Sequence, residues 1–280
     1  MFDMFQLPFM VQAFAAAVIT GILLSYMGVH VVGRGIVFVD LALGQISSLG
    51  VAFAAFIGTG ATSIPLIFTL SGALLMSFIN IRDKRLKQEA IIGIFYAFAS
   101  AVTVLLISKT AHGDSDIQEV LFGNILSISW QQIANAGIVF GAIALVQLVF
   151  ARKFFKLTES FENGENHLVG IFNLWNFIFY ISIGLAIVYA VKINGVIPVF
   201  SYLIIPAVSA IMISKNKIVV IIVALLISVI GGFLGLNLAF HKDFPAGPSI
   251  VAVLGGIFLV CAAFKIVRNL LEGKPKGIAH

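Results

Sequence analysis

The chain has 280 residues, of which 60% are hydrophobic and only 10% charged, with a mean hydropathy of +1.11. Soluble domains carry about 25% charged residues, so a soluble protein with a lone anchor is excluded, and the whole of 1–280 is expected to be one transmembrane domain. The net charge of +5 then belongs to loops on one membrane face and implies no nucleic-acid partner.

About twenty apolar residues cover the hydrocarbon core. Nine stretches qualify: 9–32, 36–57, 63–81, 89–108, 131–151, 169–191, 195–213, 217–238 and 247–267. Their length favours helices over a barrel, whose strands would alternate over about ten residues. The first stretch lacks a basic flank and is followed at once by more apolar chain, so it is expected to be a span and not a cleavable signal. The loops after spans 1, 3, 5, 7 and 9 collect fourteen of the seventeen Lys and Arg residues, leaving only Lys109, Lys192 and Lys242 for the other face. Positive residues stay cytoplasmic. The N-terminus is therefore expected outside and the C-terminus in the cytoplasm, in a multi-pass protein of the cell inner (cytoplasmic) membrane with lipid as its surroundings.

Along the chain, His30 ends the first span and is expected to sit at the interface. Asp40 opens the second span, and on a helix it shares a face with Gly44, Ser47 and Val51, with Gln45 and Ser48 on the adjacent stripe. A carboxylate or amide in hydrocarbon is costly, and the usual reason for keeping one is a water-lined path. Gly44, Ser47 and Ser48 fit close helix packing as well.

The loop after span four carries His112, Asp114, Asp116 and Glu119, which could catch a divalent cation weakly or form a plain solvated loop. After span five, Arg152 to about Gly170 forms the longest connection on the basic side. It mixes charges with Phe154, Phe155 and Phe161 and is the natural place for a soluble partner to dock. Span seven contains Pro198, Ser201, Tyr202 and Pro206. Each proline removes a backbone donor, and a helix broken there suits a transport site or a kinked packing helix. Cys261, the single cysteine, excludes an internal disulfide.

No phosphate loop, His-Glu-x-x-His or Gly-x-Ser-x-Gly is present. The chain is not expected to be an enzyme, to bind a cofactor or to hydrolyse ATP itself. Energy must come from a partner or an ion gradient.

Five segments in register carry a resemblance: Arg34 through Ala52, Glu89-Ala-Ile-Ile-Gly93, Leu121 through Trp130, Gly195 through Ala210, and Asp243-Phe-Pro-Ala-Gly-Pro248. Together they resemble the permease subunits of zinc-, manganese- and iron-importing ATP-binding-cassette (ABC) transporters, from about residue 10 to 268. The resemblance implies an all-α, cobalamin-importer-like (type II) fold and a permease homodimer. It implies two cytoplasmic ATPases that use ATP, and an extracytoplasmic protein that delivers the metal. The path would run past Asp40, Gln45, Ser47, Ser48, Ser201 and Tyr202, with Asp40 also the candidate metal contact. The ATPases would meet Phe161, Glu162, Glu165 and Gly170.

The match is not complete. Gln45 stands where the family usually has histidine, and Asp40 lies one residue before the family's acidic position, now Leu41. A one-residue slip turns a side chain by about 100° on a helix. The metal is thereby left unassigned, and a permease for a metal chelate or other small substrate stays open. An ion-coupled carrier or channel would predict charged pairs at mid-membrane and inverted repeats; one near-membrane carboxylate and no clear repeat are visible.

Overall fold

The computed structural model describes residues 3–78, 88–108, 123–163 and 173–271. Ten α-helices run through them: α1 (Pro8–Gly33), α2 (Val39–Ile57), α3 (Ser63–Ser77), α4 (Gln88–Ile107), α5 (Trp130–Val149), α6 (Ala151–Glu162), α7 (Leu174–Asn194), α8 (Val196–Ile213), α9 (Lys217–Lys242) and α10 (Ala246–Leu271). Each of the nine expected spans meets one of them. Eight are long and apolar enough to cross a membrane, and α3 is a shorter apolar helix of 15 residues. The extra element is α6. Its twelve residues were expected to be loop, but Phe154, Leu157 and Thr158 form a buried stripe at helical spacing while Arg152, Lys153 and Lys156 face out.

Local chemistry sets the boundaries. Ser129 and Gln132 form a reciprocal capping box at α5. Asn173 and Asn216 accept from the first free N–H groups of α7 and α9. Gly58 ends α2 with a φ of 73°, a left-handed conformation that favours glycine.

Two groups of helices pack side by side. One joins α1, α8, α9 and α10, and the other joins α2, α3, α4 and α7, while α5 lies against α1 and α7. α1, α2, α7 and α8 are the most enclosed, whereas α4, α5 and α10 turn residues such as Phe98, Ile138 and Val260 outward. An apolar exterior around an enclosed centre is what hydrocarbon demands.

Span seven is not broken. Pro198 lies in the first turn of α8, where its missing N–H has no intrahelical partner to lose, and Pro206 sits inside a helix that continues to Ile213. The break comes one step earlier, at Gly195, which leaves α7 and enters α8 with a φ of 81°. This turn is deep. Asn194 donates through Nδ2 to Thr20 Oγ1 at 3.2 Å, and Thr20 is halfway along α1, about 18 Å from its start at 1.5 Å per residue. A Cβ on Gly123 would lie 2.2 Å from the Asn194 carbonyl carbon, so the Gly123–Asn124 backbone reaches the same depth. Irregular backbone at membrane depth is tolerated where protein buries it, and Asn194 is buried.

α1 and α8 cross closely at Gly28, where a Cβ would lie 1.8 Å from the Leu203 carbonyl oxygen. Gly28→Ala should therefore force α1 from α8 and destabilise the protein by about 1–3 kcal/mol. Gly255→Ala, with open space around it, should be neutral or stabilising. Thermal unfolding in detergent checks the pair; equal melting temperatures would contradict the crossing.

Candidate functional site

A cavity of about 420 Å³ lies between the second half of α2, the start of α3 and the ends of α4 and α7. Its polar wall is Ser47, Ser48, Thr62, Tyr189 and Lys192. Ser48, Ala52 and Ala55 follow one another at helical spacing, so α2 presents one small-residue face to the space. Ser48 can sit there because its hydroxyl donates to the Gly44 carbonyl at 2.9 Å and needs no other partner. A Cβ on Gly50 would lie 2.6 Å from Pro65 Cα, so α3 starts hard against α2 and closes one side. The end of α7, just before the deep turn, forms another wall through Val191 and Lys192.

The cavity offers hydroxyls and one ammonium in an otherwise apolar wall, with no carboxylate, imidazole or thiol among the lining residues. No group of three His, Cys, Asp or Glu side chains is placed to hold a metal among the described residues. Such a wall gives weak, exchangeable contacts, which suit passage more than storage.

Of the six residues expected along the path, Ser47 and Ser48 meet in this cavity. Asp40 is on the same face of α2, seven residues or about 10 Å nearer its start. It is 2% exposed, and neither carboxylate oxygen has a hydrogen-bond partner among the described residues. Its place in the first turn of α2 sets it by the positive end of the helix dipole. The start of α2 is itself pinned, because Val37 N–H donates to Glu89 Oε1 at 3.1 Å, from the first turn of α4. Gln45 is buried but does not line the cavity. Ser201 donates to the Ile197 carbonyl at 2.9 Å. Tyr202 lies away from the cavity, in a crevice between α1 and α9, where a Cβ on Gly21 would come within 3.1 Å of its ring and one on Gly232 within 2.8 Å of its hydroxyl. Ser201 and Tyr202 thus belong to the packing of α8 and not to the wall that Ser47 and Ser48 share.

A second polar cluster forms where α1 ends, at the opposite end of α7 from the cavity. Arg34 is 6% exposed. Its guanidinium lies 3.7 Å from the centroid of the Phe179 ring. Its Nε donates to Thr158 Oγ1 at 3.2 Å, and one terminal nitrogen donates to Asn176 Oδ1 at 3.3 Å. Asn176 in turn donates to the Ser77 carbonyl at 3.3 Å. His30 is fully buried beneath α6, with Nδ1 2.9 Å from Thr158 Oγ1. Of the residues expected to meet a partner, Phe161 is in the last turn of α6, 5.9 Å from the Arg34 guanidinium, and Glu162 ends the helix beside Gly33. Glu165 and Gly170 lie outside the described residues, as does the His112–Glu119 segment.

Sequence reasoning missed two sets of residues. Arg34 and Lys192 were counted only as charges that fix orientation. Thr158 was visible only through the helical period of its apolar neighbours. Tyr189 and Thr62 carried no signal, since a lone tyrosine in a span and a threonine before a helix are ordinary.

The description "ABC 3 transport family" matches residues 6–265. The chain is 26% identical over 271 residues to the chelated iron transport system membrane protein YfeD of Yersinia pestis, covering 96% of this chain and 90% of that one. It is 26% identical over 278 residues to the manganese transport system membrane protein MntC of Listeria monocytogenes, covering 98% and 96%. Among solved structures, PsaBC from Streptococcus pneumoniae in complex with Fab superposes with a TM-score of 0.76 at 23% identity, covering 91% of each chain. The all-α type II permease fold expected from the sequence is thereby found.

Asp40→Asn keeps the shape and removes a carboxyl that has no partner among the described residues. It should leave assembly intact and the melting temperature in detergent unchanged or raised, because a buried carboxyl without a partner is costly whether charged or neutralised. A clear fall would mean that the carboxylate has a structural partner.

Proposed function

The chain belongs to the ABC 3 transport family, and from that premise we propose that it is the membrane permease of an ATP-driven importer for a divalent metal ion. The observation that carries this reading is the Ser47–Ser48 cavity beside a deep, buried helix turn, with Asp40 on the same helix face below it. The names of the relatives support manganese or iron as cargo, with zinc in the same range of chemistry. Two copies of the chain would enclose the path. An extracytoplasmic protein would deliver the metal to the face that holds Lys192. Separate cytoplasmic ATPases would dock at the basic end of the bundle, where α6 carries Phe161 and Glu162, with Glu165 and Gly170 in the same contact. The chain itself contributes no chemistry to ATP hydrolysis.

In this reading the metal crosses by a series of weak contacts. Hydroxyls of Ser47 and Ser48 exchange with its water, and Asp40 supplies the one negative charge on that face. Strong ligands would stall release, because conduction needs exit as well as entry.

A second reading is favoured by one observation: the lining has an ammonium at Lys192 and no acid. A bare dication gains little there, whereas a metal already wrapped in an anionic chelator would be attracted. The coupling to ATPases is the same in both readings.

Uptake of isotopic manganese, iron and zinc into depleted cells, each with and without an anionic chelator, separates them. The expected result is ATP-dependent uptake of at least one free ion, reduced about tenfold or more by Asp40→Asn, equivalent to about 1.4 kcal/mol. Uptake only of the chelate, lowered by Lys192→Gln, would favour the second reading. Uptake that needs no ATPase would remove both.

A further inference from the structure

We infer that Thr158 and Arg34 form a hydrogen-bonded latch that makes α6 move as one body with the ends of α1, α3 and α7, and so position the spans when a partner displaces α6. This rests on the ATPase-driven reading above for its functional part, and on geometry alone for its structural part.

The latch is more than packing. Thr158 has one hydroxyl proton and two lone pairs. Its Oγ1 donates to the Phe154 carbonyl at 3.0 Å, so it accepts from Arg34 Nε and from His30 Nδ1. Its full capacity is used by groups from two helices. Arg34 then extends the connection to Asn176 on α7, and Asn176 extends it to the last turn of α3 through Ser77. Four helices share one chain of polar contacts, all buried.

The geometry leaves no slack. A Cβ on Gly33 would lie 2.7 Å from Thr158 Cγ2 and 2.6 Å from Glu162 Oε1, so α6 sits directly on the backbone that ends α1. The Phe155 ring, one turn earlier, lies 4.4 Å from the His30 ring. Outside this cluster, α6 is tied by an ion pair between Glu159 and Lys217 whose partners are about half exposed. Such surface pairs contribute about 0–1 kcal/mol. The buried cluster is the stronger tie, because losing one partner there strands a cation or an imidazole without water.

Arg34 suits the role for a chemical reason. Its planar fork reaches Thr158 and Asn176 together while its face lies on Phe179. A lysine has one point of charge and cannot span both.

The test uses the full-length permease. Thr158→Val keeps the shape and removes the hydroxyl, while Thr158→Ser keeps the hydroxyl. Arg34→Lys is a second variant that retains the charge. Glu159→Gln removes the exposed tie as a control. Hydrogen exchange reads the structural part: amides of α6 should exchange about tenfold faster in Thr158→Val, close to wild type in Thr158→Ser and Glu159→Gln, with α9 unchanged in all. In proteoliposomes with the ATPase subunit, manganese taken up per ATP hydrolysed should fall about tenfold in Thr158→Val and Arg34→Lys and recover in Thr158→Ser. Unchanged exchange in α6 would overturn the latch, as would an equal loss in Thr158→Ser, which would assign the effect to packing. An uptake-to-hydrolysis ratio unchanged in Thr158→Val despite loosened α6 would overturn its role in transmission. If the wild-type protein shows no ATP-linked uptake of manganese, iron or zinc, free or chelated, the proposed function fails, while the exchange measurement still decides the latch.

Discussion

One constraint shapes most of the described residues: a polar group that leaves water for hydrocarbon must find its partner within the protein. The hydroxyls answer locally. Ser48, Thr69, Thr103, Ser201 and Ser249 each donate to the carbonyl four residues back, which lets them face apolar neighbours at little cost. Amides and cations carry more donors than one carbonyl four residues back can take; Asn194 reaches the Ala190 carbonyl at 3.2 Å and still needs other partners. They gather where elements meet, as Asn194 does with Thr20 and Arg34 does with Thr158 and Asn176. Asp40 and Gln147 depart from it most, each buried with both polar side-chain atoms unpartnered among the described residues. A group that departs from the constraint is where function is best sought.

That constraint also links the two polar regions. The Arg34 cluster touches α7 at Asn176, and the cavity touches it at Lys192. The sixteen residue steps from one to the other span about 24 Å of unbroken helix. In the proposed reading, movement at the basic end would reach the cavity wall along this one helix. α2 makes a parallel link. Its start is held by Glu89, its first turn carries Asp40, and its second half lines the cavity. Both helices end on glycines with positive φ, Gly58 and Gly195, so their far ends are defined by turns and do not run on into other helices.

The spans were legible because hydrophobic length is a direct physical requirement, and the nine stretches each correspond to a helix. The connection between spans six and seven falls at Gly195, where the apolar stretches put it, but the break expected inside span seven is absent. Prolines are conspicuous in a sequence, yet Pro198 falls where no donor is needed and Pro206 is absorbed by the helix, while the true break depends on one glycine's φ. α6 was hidden for a different reason: at twelve residues, with charges on its outer face, it looks like a loop to any ruler set for spans. Ser47 and Ser48 were found by their shared helix face. Tyr202 was not separable from them, because which side of α8 meets α2 and which meets α1 and α9 is decided by packing glycines such as Gly21 and Gly232 in distant segments.

The absence of acids and imidazoles from the cavity wall among the described residues, set against relatives named for manganese and iron, looks at first like a contradiction. It is resolved by asking where selectivity is useful. A site that strips a dication of its water must replace several strong contacts, and release then becomes slow. A path that leaves part of the hydration shell in place needs only hydroxyls and room, and a cavity of about 420 Å³ has room. In the proposed reading an ionised Asp40 would act by charge at a distance. It lies about 10 Å below Ser47 on the same face, and a cation in the cavity would feel it through a medium of low dielectric, where a given charge attracts more strongly than in water. Such a carboxylate would draw a cation inward without holding it, and Lys192 at the end of α7 would oppose the same cation from the other wall. The balance of these two groups, and not a ligand cage, would then choose the cargo.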